Sequence, residues 1–138
     1  MSQGSEKGGE VLGGRRVLVI EDCDDHLLLY SNYLKLAGAQ VAAACTEAEA
    51  YARLGEANYD AILIDVKITG VLSFELMSEI RKRGHRGALI AISIYDASAI
   101  QQKCFASGCT GFIQKPVLYR PFIQAIWADI QTTSDIQS

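Results

Sequence analysis

Five times along the chain, a short apolar run gives way to a segment of helical period. The runs are residues 17–20 (VLVI), the weaker 41–44, 61–64 (AILI), 88–92 (ALIAI) and the short 111–113 (GFI). They are continuously apolar rather than alternating. A strand that is apolar on both faces must be covered on both faces, as strands of a parallel sheet are. The segments between them supply the cover. Leu27, Tyr30 and Leu34, with Leu29, Tyr33 and Leu36, stripe the first, and Gly38 ends it. Thr46 and Glu49 form a capping-box pattern ahead of the second. The third, residues 73–83, carries Leu76, Met77 and Ile80 and stops at Gly84; the fourth, 96–107, is closed by Gly108. Leu118, Phe122, Ile126 and Ile130 recur every four residues in the last. This alternation predicts an α/β fold: a five-stranded doubly wound parallel sheet with five helices and right-handed crossovers.

The chain has 138 residues, enough for one domain with its own core. Its net charge of -3 argues against a general nucleic-acid binder. Cys23, Cys45, Cys104 and Cys109 form no CxxC pair and have no histidine at zinc-ligand spacing, so they read as free thiols in a reducing compartment. With no hydrophobic signal core and no membrane-length apolar run, a cytoplasmic protein is expected. The Gly- and Ser-rich residues 1–14 read as a flexible leader or linker, 15–131 as the domain, and 132–138 as a fraying polar tail.

In open sheets of this kind, ligands bind beyond the carboxyl ends of the strands. Strand one ends in Glu21 and Asp22, strand three in Asp65 and strand four in Ser93; strand five is followed by Lys115 and Pro116. Three carboxylates, a hydroxyl and an ammonium are therefore brought to one edge. Clustered carboxylates repel unless a cation joins them, and oxygen donors favour Mg²⁺ or Mn²⁺ over zinc. Lysine and serine suit the site to a phosphoryl group, and a carboxylate can itself be the nucleophile. Each residue alone has an ordinary explanation. Asp24 and Asp25 fit a helix start, Asp65 a turn cap, and Lys115 a solvated surface. Their joint placement at four strand ends carries the argument.

With VLVIEDCDDH, AILIDVKITG, LIAISIYD and GFIQKP in this order and at these separations, the chain resembles a response-regulator receiver domain of two-component signalling. The resemblance implies a flavodoxin-like sheet in the order 2-1-3-4-5. It implies that Asp65 accepts phosphate from a sensor histidine kinase or histidine phosphotransfer protein. Glu21, Asp22, Asp65 and the Lys67 carbonyl would then hold the metal ion. Ser93 and Lys115 would contact the phosphoryl group, and the Lys115–Pro116 bond would be cis. Ser93 and Phe112 would act as the switch, although Phe112, lacking a hydroxyl, serves equally as core. Lys67 and Tyr95 flank the site and would slow loss of the phosphoryl group by shielding it. A downstream protein would bind the face of helix four, strand five and helix five, and homodimerisation is open. No output domain is expected after Ile130, so the chain reads as a single-domain regulator or a piece of a larger one.

Some residues depart from that pattern. Thr69 stands where proline is common, Ser73 where glycine is, and Ile94 where a small residue is. A receiver-like module working without phosphorylation is therefore the alternative. A haloacid dehalogenase-type phosphatase is poor, because it wants an acid where Lys67 stands; a flavin carrier is poor, because no phosphate loop follows strand one. His26 reads as a surface histidine. The basic run at 81–86 with His85 reads as a solvated helix end.

Overall fold

The computed structural model describes residues 10–137. The elements are β1 (Arg16–Ile20), α1 (Asp24–Leu36), β2 (Gln40–Ala44), α2 (Glu47–Glu56), β3 (Ala61–Asp65), α3 (Phe74–Lys82), β4 (Ala88–Ser93), α4 (Ser98–Ala106), β5 (Gly111–Gln114) and α5 (Tyr119–Gln137). The five strands form one parallel sheet in the order β2-β1-β3-β4-β5, as expected.

Why the central strands are apolar throughout is visible along β1. Val17 and Val19 face a core built with Tyr30 and Leu34 of α1 and Phe122, Ile126 and Ile130 of α5. Leu18 and Ile20 face a second core with Leu76, Met77 and Ile80 of α3 and Cys104 of α4. Successive residues point to opposite faces, so both must be apolar. Phe122 is 1% exposed, and truncating such a ring costs about 4 kcal/mol. The α2 cap forms as predicted: Thr46 Oγ1 accepts from the Glu49 N–H at 3.1 Å, while Glu49 accepts from the Cys45 N–H at 2.7 Å. Among the described residues no helix is long and apolar enough to cross a membrane.

The boundaries need correction. Residues 1–9 lie outside the described residues, but the last part of the expected leader belongs to the domain. Leu12 is fully buried in the α1/α5 core, and its N–H donates to the Ala37 carbonyl. The turn there runs so close to α1 that a Cβ on Gly38 would lie 3.1 Å from Gly13 Cα. At the other end the expected fraying tail is helical to Gln137, because α5 still has core to cover: Thr133 is buried. The first apolar residue assigned to that helix, Leu118, lies before it and is exposed. The Leu29–Leu36 stripe of α1 is likewise exposed at both ends, and only its Tyr33 packs on the core. A two-residue antiparallel ribbon, Lys67–Ile68 with Val71–Leu72, lies between β3 and α3 and was not predicted.

Candidate functional site

The sheet delivers four of the predicted side chains to its carboxyl edge. Asp65 is the last residue of β3 and Ser93 the last of β4; Glu21 and Lys115 follow β1 and β5 directly. Lateral backbone bonds fix their relative height: Glu21 N–H to Ala44, Val66 N–H to Ile92 and Lys115 N–H to Ser93. All four are largely withdrawn from water, with Glu21 2%, Asp65 8% and Ser93 1% exposed.

Lys115 Nζ lies 2.6 Å from Asp65 Oδ2 and 3.5 Å from Glu21 Oε1. The second Asp65 oxygen accepts the Lys67 N–H at 2.8 Å. The Asp65 carbonyl accepts from Ser73 Oγ at 2.7 Å, which gives the serine a tying role. Burial, and then the adjoining Asp65 carboxylate, push the Glu21 carboxyl up to about 7. For Lys115, burial alone would lower the pKa. The hydrogen bond and charge of Asp65, with Glu21 behind it, outweigh that and raise it. The ammonium is thus held charged between two acids.

Asp22 is placed differently. It is exposed, and its Oδ2 accepts the Thr69 N–H at 2.7 Å. Thr69 (φ 48°) and Gly70 (φ 81°) join the two short strands with two successive positive φ values, the pattern of a type I′ hairpin turn. Positive φ strains a β-branched residue. Here it is held by the ribbon, by the bond to Asp22 and by Thr69 Oγ1 donating to Ile68 O at 2.7 Å. A proline could neither reach this φ nor donate to Asp22. The loop departs from the family pattern because its turn needs a positive φ and an N–H at position 69.

Among the described residues no three acidic, histidine or cysteine side chains stand together as a metal-holding group. Glu21 and Asp65 adjoin, while Asp22 bonds the Thr69 N–H through one of its two oxygens. The donors nevertheless suit a hard divalent cation, being all oxygen, and the buried Glu21–Asp65 pair is acid-rich.

The remaining residues are placed as follows. Ser93 Oγ accepts the Tyr95 N–H at 2.8 Å. Tyr95 and Phe112 are half-buried and pack on the same α3/α4 core, whereas the Lys67 side chain is exposed. Ile94 is 64% exposed at the rim. The Lys115–Pro116 bond is cis, as expected.

Two residues of α1 were not assigned to the site from the sequence. His26 Nδ1 stands 3.0 Å from Lys115 Nζ and 4.0 Å from Glu21 Oε1, so His26 is not the free surface histidine expected. Tyr30 is buried one turn below it, and burial pushes its hydroxyl up to about 12, with the Lys115 charge opposing. Their i, i+4 spacing was a legible signal that both share one helix face.

The family model of the response regulator receiver domain matches residues 17–126. Similar curated proteins include a cyclic di-GMP phosphodiesterase of Thermotoga maritima, 34% identical over 73% of this chain and 27% of that protein. Others are hybrid signal transduction histidine kinase L of Dictyostelium discoideum (29%, over 74% and 6%) and the DNA-binding transcriptional activator EvgA of Escherichia coli K12 (30%, over 76% and 53%). The chain spans about half or less of each. Among solved structures, a CheY-like receiver domain protein of Methanospirillum hungatei has a TM-score of 0.81 at 21% identity, covering 88% of this chain and 98% of that one. A Thermotoga maritima response regulator gives 0.78 at 23%, over 85% and 98%. At these identities the structures speak for the fold alone.

Proposed function

The chain belongs to the response-regulator receiver family, and from that premise we propose that Asp65 accepts a phosphoryl group and that its arrival changes what the domain binds. The donor is a phosphohistidine on a sensor histidine kinase or phosphotransfer protein. A carboxylate oxygen of Asp65 attacks phosphorus, the P–N bond breaks, and the leaving imidazole keeps the electron pair and takes up a proton. The observation that carries this reading is the Lys115 ammonium 2.6 Å from Asp65 Oδ2, with buried Glu21 behind it. A cation so placed is already at hand to neutralise charge on the phosphoryl oxygens.

Glu21, Asp22, Asp65 and the Lys67 carbonyl are the residues that would hold Mg²⁺ or Mn²⁺. Bound there, the ion supplies charge neutralisation for the phosphoryl oxygens. Ser93 Oγ, once released from the Tyr95 N–H, donates to a phosphoryl oxygen. That exchange moves the turn after β4, and Phe112 on the neighbouring strand can repack with it. The α4–β5–α5 face is then the surface whose partner affinity, for a downstream protein or a second copy, shifts. The exposed Lys67 and the half-buried Tyr95 flank the site and retard hydrolysis. Substituting either by Ala should speed phosphate loss, and unchanged decay of the phosphorylated protein would remove that role.

One observation favours a second reading, a receiver-like module working without phosphorylation: Asp22 Oδ2 is engaged by the Thr69 N–H. Intact mass decides between the readings. With Mg²⁺ and a phosphorylated histidine donor, the protein should gain one phosphoryl group and Asp65→Asn none. No gain from several competent donors, despite Mg²⁺ binding, would favour the second reading.

A further inference from the structure

An ammonium group has three protons to place. At Lys115, Asp65 Oδ2 takes one at 2.6 Å and Glu21 Oε1 is only loosely placed at 3.5 Å. A firm acceptor outside the acid pair is on another element: His26 Nδ1 of α1, at 3.0 Å, with the Tyr30 hydroxyl also near the ammonium. We propose that His26 is a positioning residue for Lys115, its imidazole fixing the ammonium over the Asp65 carboxylate so that α1 helps to set where the site's cation stands.

Three features make His26 suited to this. A lysine side chain has four flexible methylenes, and holding its tip in one place costs rotamer entropy unless several acceptors share it. The acids alone offer one firm acceptor. His26 is also braced, its ring lying 6.0 Å from that of Tyr30, which in turn lies 5.5 Å from buried Phe122. Finally, the acceptor is uncharged when Nδ1 takes the lysine proton and the ring proton sits on Nε2. It directs the ammonium without adding a third anion to compete with an incoming phosphoryl group. When Asp65 becomes an acyl phosphate its oxygen ceases to be a carboxylate, while the His26 contact persists. The lysine then has a fixed pivot from which to reach the new oxygens.

The test uses the whole chain and two variants. Asn at position 26 can place an amide oxygen where Nδ1 stands, whereas Leu offers no acceptor. Position 26 is 43% exposed, so neither change threatens the core. The first readout needs no phosphorylation: trace acetylation by acetic anhydride, with Lys115 modification followed by peptide mass. His26→Leu should raise Lys115 labelling by roughly tenfold, the scale of one hydrogen bond to a charged group, and His26→Asn should restore most of the protection. The second readout is the rate of phosphoryl gain from acetyl phosphate at saturating Mg²⁺. It should fall by a similar factor in His26→Leu, recover in His26→Asn, and show no His26 effect in a Lys115→Met background. Equal behaviour of Leu and Asn, or unchanged labelling in both, overturns the proposal. The kinetic arm rests on Asp65 being the acceptor. Should wild type take up no phosphoryl group from acetyl phosphate or from a phosphohistidine donor, that reading falls by itself, and the labelling arm alone decides for or against His26.

Discussion

The two edges of the sheet each hold a partly buried cation, and the partners of those cations differ in kind. At the amino edge, Arg81 of α3 donates from Nε to Gly108 O at 2.9 Å and from Nη1 to His85 O and Gly87 O at 2.9 and 2.8 Å. All three partners are main-chain carbonyls, neutral and fixed. At the carboxyl edge, Lys115 faces carboxylates and an imidazole, all side chains, one of them a potential nucleophile. The planar guanidinium suits the first role, because its fork matches several fixed acceptors at once; the ammonium suits the second, because it can pivot between acceptors. The backbone of the amino edge is also tightly packed at two glycines: a Cβ on Gly108 would meet Arg81 Cγ at 2.6 Å, and one on Gly87 would meet Asp60 O at 2.6 Å. The lesson is that a buried charge becomes available for chemistry when its partners can change, and serves structure when they cannot.

Substitutions should split along this line. The largest effect is all-or-none: Asp65→Asn should abolish phosphoryl gain by intact mass, while Arg81→Ala, in folded protein, should retain it. Loss of phosphorylation in Arg81→Ala at a temperature where it is folded would break the division.

Next in size is stability. Arg81→Ala strands three carbonyls that its side chain now satisfies, and should cost about 3 kcal/mol in urea unfolding. An effect below about 1 kcal/mol would show that water replaces the side chain freely there.

A smaller effect concerns the loop at the carboxyl edge. Thr69→Pro removes the N–H that occupies Asp22 and forbids the positive φ. Mg²⁺ or Mn²⁺ binding by titration calorimetry should tighten by roughly tenfold, the scale of one charge-assisted hydrogen bond. Thr69→Gly keeps the N–H and relieves the strain, so it should leave affinity near wild type. Tightening in the glycine variant as well would assign the effect to strain rather than to competition for Asp22.

Much of this contrast was legible in the sequence at one edge and hidden at the other. Glu21, Asp65 and Ser93 could be placed because each ends an apolar run, Lys115 because it follows one within two residues, and parallel strands put their ends on one side. The amino edge carried no such signal. Arg81 sits where any helix would end in basic residues, and only the packed positions of Gly87 and Gly108 turn it inward. His26 was missed for the same reason: its partner lies 89 residues away and is reached through tertiary packing. Leu12 looked like leader because a lone leucine among glycines has no period. The Thr69 ribbon was missed because two-residue strands have no alternation to read, and Thr-Gly is a weaker hairpin signal than Asn-Gly. Conversely, the Leu29–Leu36 stripe overstated the core, because α1 covers the sheet with a single face.

The smallest expected effect lies within the amino edge itself. His85 Nε2 bonds the Ala88 carbonyl at 2.8 Å, and burial, with help from the nearby Arg81 charge and against that hydrogen bond, lowers its pKa below the ordinary 6.5. A histidine depressed in the folded state keeps its neutral form there, while the unfolded chain takes up protons as pH falls below 6.5. Folding is therefore favoured at higher pH, and stability from this group is lost as pH drops below that value. His85→Gln can keep a donor near the Nε2 position and does not titrate. Comparing thermal unfolding at pH 7.5 and pH 5.5, wild type should lose more than His85→Gln. An equal loss would mean that His85 stays accessible to protonation when folded, despite its bond to the Ala88 carbonyl.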